Sequence, residues 1–212
     1  MERVYFLLVL CTVFYAAPSS AKEHQGYMKL GENITVKAHV YYDHTFNNSS
    51  WRKKVITMES HFETIFKQIQ ENIHKMGAMI NISVENVTYN NSFVVLNDSY
   101  INGTLTFESF LQFAQTMNFS RDSISYYFVG GEIDEFKKPT DELRTNKTFC
   151  TGNATVALVH TVPWPGFYMT AQKMTVLALG SMHPAYLDDK DKIELEKIFQ
   201  KCPKGSERKA RN

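Results

Sequence analysis

The segment from Val55 to Met76 constrains this chain more than any other. Apolar residues recur at Val55, Met58, Phe62, Ile65, Phe66, Ile69, Ile73 and Met76. They fall three or four apart for more than five turns, the stripe of an amphipathic helix packed on a core. Gly77 follows where such a helix stops. The segments on either side have a period of two. Ile34 to Tyr42 (ITVKAHVYY) alternates and is β-branched, and Ala78 to Val87 is marked as a strand by Met79, Ile82, Val84 and Val87. Strand, long helix and strand make a βαβ unit, so the first two strands are expected to be parallel and joined by a right-handed crossover.

The remaining elements extend that unit. Asn90 to Gly103 is polar and turn-rich. Thr104 to Met117 returns to the helical period through Leu105, Phe107, Phe110, Leu111, Ala114 and Met117. Ser123 to Val129 (SISYYFV) is a strand ending at Gly130-Gly131, and Glu132 to Lys147 is a charged loop. Ala154 to Thr161 (ATVALVHT) reads as a buried strand, broken by Pro163-Trp164-Pro165-Gly166, where Trp164 is placed as a rigid loop anchor. Phe167 to Met182 is apolar nearly all round, hence a buried helix. Asp188 to Phe199 is a final charged helix. The order β-α-β-α-β-loop-β-α-α predicts an α/β domain with helices packed against a mostly parallel twisted sheet. No repeat or long linker divides it, so one domain is expected over residues 22–202, with a polar tail over 203–212.

The N-terminus supplies the compartment. Arg3 is a short positive region, Tyr5 to Ala17 an apolar run of about a dozen residues, and Ser19-Ser20-Ala21 a set of small residues. That is the pattern of a secretory signal peptide over 1–21, cleaved after Ala21. The run is too short for the roughly 20 residues of a membrane span. Removal of the leader takes Cys11 with it and leaves Cys150 and Cys202, which in an oxidising compartment are expected to pair. With 43% apolar and 21% charged residues the chain is composed like a globular domain, and a net charge of +1 gives no electrostatic case for nucleic acid or an anionic membrane as partner.

Asn-x-Ser/Thr sequons begin at Asn33, Asn47, Asn48, Asn81, Asn86, Asn90, Asn97, Asn102, Asn118, Asn146 and Asn153. Such density points to a heavily glycosylated surface. Asn47 overlaps Asn48 and Asn81 sits in an apolar strand, so glycans are expected on Asn33, Asn48, Asn86, Asn90, Asn97, Asn102, Asn118, Asn146 and Asn153. Any binding face should lie away from them.

Cys150 to Pro184 (CTGNATVALVHTVPWPGFYMTAQKMTVLALGSMHP) gives a strand, a short loop, a buried helix and then Gly180-x-x-His183. This resembles the metzincins, especially the reprolysin-type (adamalysin-like) metalloproteases found in venoms and tick saliva. Their helix reads His-Glu-x-x-His-x-x-Gly-x-x-His-Asp. Thr170-Ala171 is similar to the family's lead-in, and the strand-helix-strand-helix order from Ile34 is similar to its catalytic domain. The resemblance implies a metzincin-like architecture shortened at its C-terminal part, with Cys150 pairing near the C-terminus, here with Cys202.

In the same frame the family's first His falls on Lys173, the catalytic Glu on Met174, the second His on Leu177 and the trailing Asp on Pro184. Catalytic zinc needs three protein ligands, two from one helical face at i and i+4. An ammonium and an isobutyl group cannot supply them, and a thioether cannot act as general base. His183 is left as the last vestige, and no methionine follows it to form the family's Met-turn. Taken alone, His183 suits a partly exposed polar or capping residue and Gly180 a helix terminator or a close-packing site. His39, His44, His61, His74 and His160 are scattered, and Asp43 beside His44 has no nucleophile near it in sequence. No nucleophile elbow, phosphate loop, Cys-x-x-Cys or calcium loop occurs.

The expected function is therefore that of a secreted, catalytically inactive metalloprotease-like glycoprotein. It would hold no metal or cofactor and would act by binding an extracellular protein or peptide. Two alternatives stay open: an active zinc peptidase with other ligands, and a secreted small-ligand carrier of barrel type. Against the barrel stands the early amphipathic helix, since such barrels open with successive hairpins.

Overall fold

The computed structural model describes residues 29–48, 57–133, 143–164 and 166–203. The leader over 1–21 and the tail from 204 onward lie outside the described residues. The elements are β1 (Thr35–Tyr42), α1 (His44–Asn47), α2 (Met58–Lys75), β2 (Asn81–Tyr89), β3 (Leu96–Asn97), β4 (Tyr100–Ile101), α3 (Gly103–Thr116), β5 (Ser123–Val129), β6 (Val156–His160), α4 (Met169–Leu179) and α5 (Asp189–Phe199).

Local chemistry sets these boundaries. Thr57 opens α2 with a capping box, its side chain accepting from the Ser60 amide while Ser60 reaches back. The apolar stripe then buries Met58, Phe62, Ile65, Phe66, Ile69 and Ile73. Gly77 ends the helix at φ +99°, a conformation that costs glycine nothing. The chain then enters β2, which lies parallel to β1 as the βαβ pattern predicts. β5 pairs with the other side of β1, and β6 with β5, all parallel, in the order β2-β1-β5-β6.

Alternation along the central strands separates two cores. Ile124, Tyr126 and Phe128 of β5 join β1, α2, α4 and α5 in the larger one. Tyr127 and Val129 join Phe110 and Ala114 of α3, with Phe93 and Ile101, in the smaller. The result is three layers: α2, α4 and α5 on one face of an open parallel sheet, α3 and the β3-β4 hairpin on the other. This is an α/β fold, and an open sheet between helices is no barrel. Among the described residues no helix is long and apolar enough to cross a membrane. Cys150, just before β6, bonds to Cys202 after α5 with Cα atoms 4.7 Å apart, tying the last helix to the sheet.

Some expectations need correction. Leu105 and Met117 are exposed, because α3 presents a narrower face than its composition suggests, centred on Thr106, Phe110 and Ala114. Phe167, Met169 and Met182 project from the ends of the α4 segment rather than being buried. The 90–103 segment holds the β3-β4 hairpin. Residues 143–145 run antiparallel along the outer edge of β6, through the Leu158 amide to Leu143 O and the Thr145 amide to Val156 O. Asn81 is exposed, since β2 is an edge strand with no fully buried residue.

Candidate functional site

α4 is the helix onto which the sequence resemblance aligns the metzincin zinc motif. It is seated from three sides. The Thr175 hydroxyl lies 3.0 Å from the Tyr126 hydroxyl of β5, and Gln172 Oε1 accepts from Asn72 Nδ2 of α2 at 2.9 Å. Gly180 ends the helix at φ +116°, where a Cβ would press against Ile198 Cδ1 of α5. Gly180 is thus a terminator and a close-packing point together.

Of the positions aligned with the zinc motif, Met174 and Leu177 are 4% and 2% exposed and belong to the apolar interior. Lys173 is half-buried. None of the three offers a donor that zinc would take, so the donor set does not fit a catalytic metal.

His183 sits past the end of α4 and is tied to α5. Its Nδ1 lies 2.7 Å from Asp191 Oδ2 and 3.7 Å from Asp188 Oδ2, and its ring stacks on Tyr186 at 4.5 Å. Asp191 is 1% exposed. Its Oδ1 accepts from the Met182 amide at 2.8 Å, and its Oδ2 from the Asp188 amide at 3.3 Å. Burial pushes the Asp191 carboxyl up, but the Met182 amide, the His183 imidazole, the Asp188 amide and the Ser181 hydroxyl outweigh it and hold the group below the ordinary Asp value. The donor atoms of His183, Asp188 and Asp191 fall within 4.8 Å of one another. With Asp191 filled by amides and imidazole, the cluster works as a clasp between the end of α4 and the start of α5. Asp188 and Asp191 were missed as partners because their Asp-x-x-Asp spacing already accounts for them as the capping box of α5.

The other histidines have local duties. His39 Nδ1 meets Asn86 Oδ1 at 2.6 Å, its Nε2 meets Ser123 Oγ at 3.3 Å, and its ring stacks on Phe119 at 3.8 Å. Burial holds its pKa down despite the Asn86 bond. Burial also lowers His160, against a bond to the Gly131 backbone. His74 Nε2 lies 2.6 Å from Ile80 O. Asp43 is fully buried and caps α1, accepting from the Phe46 amide and the Thr45 hydroxyl. Thr45 Oγ1 in turn accepts from the amides of Gly130 and Gly131. Asp43 and Thr45 therefore brace the strand ends.

A polar cavity of about 240 Å³ opens where the end of α3 meets the amino ends of β5 and β6. Ser120, Ser123, Ser125 and Thr155 give it hydroxyl walls, and Asn118 and Asn153 stand on its lining. It joins two segments far apart in sequence, around 114–125 and 151–155, so no linear motif announced it.

The sequon asparagines differ in exposure. Asn33, Asn48, Asn97, Asn118, Asn146 and Asn153 are exposed, and Asn86, Asn90 and Asn102 are half-buried. Asn102 caps α3 by accepting from the Leu105 amide. No sequon begins between Asn48 and Asn81, or anywhere after Asn153. None begins within α2, α4 or α5. Exposed Phe167, Met169, Met182, Tyr186 and Ile193 all lie in that sequon-free C-terminal part.

No family model matches the chain, and no curated protein matches it in sequence. Among solved structures, metalloproteinase-II from Bacteroides fragilis is similar to it over 81% of this chain, at a TM-score of 0.48 and 10% identity. The chain spans about half of that enzyme's length, 55%. What the coordinates themselves define is an α/β protein with an open parallel four-stranded sheet and a disulfide-tied C-terminal helix.

Proposed function

We propose that this chain is an exported glycoprotein related to metalloproteases that has lost zinc chemistry and acts by binding an extracellular protein or peptide. The observation that carries this reading is the occupancy of α4, where Lys173, Met174 and Leu177 stand at the motif positions and two of the three are sealed in the core. A second observation supports a binding role. The helices α2, α4 and α5 themselves carry no sequon and leave Met182, Tyr186 and Ile193 open to solvent. Helix surfaces that carry no glycan of their own stay open to contact.

The rival reading is an active metallopeptidase. Its best donors among the described residues are His183, Asp188 and Asp191. The proposed reading expects the purified, secreted chain to leave peptide substrates uncut. Cleavage that a chelator abolishes and added zinc restores would overturn it.

A further inference from the structure

We infer that the cavity between α3 and the amino ends of β5 and β6 is a seat for the chain's own sugar: the first N-acetylglucosamine of an N-linked glycan on its rim. The inference rests on the reading of this chain as an exported glycoprotein. Two sequon asparagines from separate segments, Asn118 and Asn153, both line the cavity. Their sequon hydroxyls also turn inward. Ser120 Oγ accepts from Lys37 Nζ at 3.0 Å and meets Ser123 Oγ at 3.0 Å, while Thr155 Oγ1 accepts from Thr148 Oγ1 at 3.0 Å.

The walls have the chemistry of a sugar site. Ser123, Ser125 and Thr155 set hydroxyls on the cavity wall, so a ligand hydroxyl or amide meets donors and acceptors there. Phe119, backed by the His39 ring, supplies an apolar plane against which the C–H face of a pyranose can lie. The volume, about 240 Å³, falls below the roughly 300–1,000 Å³ of pockets for drug-sized ligands and suits a single ring. A tethered ligand also needs little intrinsic affinity, because attachment at the rim makes its local concentration high.

The test uses the secreted, glycosylated chain in its native state, digested with a peptide N-glycosidase while mass spectrometry follows each sequon. A seated first sugar hides the asparagine–sugar bond. The glycan at Asn118 or Asn153 should therefore leave about tenfold more slowly than those at Asn33, Asn97 and Asn146, and all should leave alike after denaturation. Asn118→Gln and Asn153→Gln identify which asparagine carries the protected sugar. Ser125→Leu, which fills the seat, should bring release at the protected site to the rate of the others. Equal release rates in the native chain would overturn the inference. So would bare asparagines at both positions in a chain glycosylated elsewhere. A secreted chain with no glycan at any sequon would overturn the exported-glycoprotein reading, and this one with it.

Discussion

His183 Nδ1 stands 2.7 Å from Asp191 Oδ2, joining the residue that ends the α4 turn to the first turn of α5. This contact makes His183 part of the molecule's fastening. The carboxylate is buried and held by amides as well as by the ring. Asp191→Asn keeps the shape but removes the charge, and should lower stability at neutral pH by about 2–3 kcal/mol, the usual worth of hydrogen bonds to a buried charged group. Urea unfolding of both proteins measures it.

The acid limb should change with it. Asp191 has a folded pKa below its ordinary value of 3.8. Its contribution is therefore fully present above about pH 4 and drains away as pH falls through the folded value. The stability gap between the native chain and Asp191→Asn should narrow below pH 4. A gap that stays constant from pH 7 to pH 3 would mean that the carboxylate contributes nothing as an ion.

Gly180→Ala tests whether that glycine is a terminator. At φ +116° with Ile198 Cδ1 against the missing side chain, an alanine should cost about 1–3 kcal/mol. Combining it with Ile198→Val should recover part of the loss, a coupling that thermal unfolding of the four proteins in the cycle detects.

The Cys150–Cys202 bond closes a separation of 52 residues. Replacing both cysteines with serine should lower stability by about 4 kcal/mol in the chain-entropy treatment. Denaturation with and without reductant measures this, and the serine variant should no longer respond to reductant.

Long, strongly periodic segments were legible in the sequence. The α2 stripe, the β5 run and the βαβ order all appear where their patterns place them, because burial on one face dictates the spacing of apolar residues. The β3-β4 hairpin and the 143–145 edge left no trace, since two or three residues cannot display a period. The phase of α3 misled at Leu105 and Met117, where residues hydrophobic by type lie outside the contact face. At the site, Gly180 was readable as a terminator and His183 as a partly exposed polar residue. The partner Asp191 was hidden, because its spacing from Asp188 is already explained by a helix cap.

The most direct measurement for the central claim is elemental analysis of the secreted chain after dialysis against zinc. The account predicts far less than one zinc per chain, since Lys173, Met174 and Leu177 occupy the motif positions and His183 is committed to Asp191. One tightly held zinc per chain, lost on His183→Ala together with chelator-sensitive peptide cleavage, would contradict it.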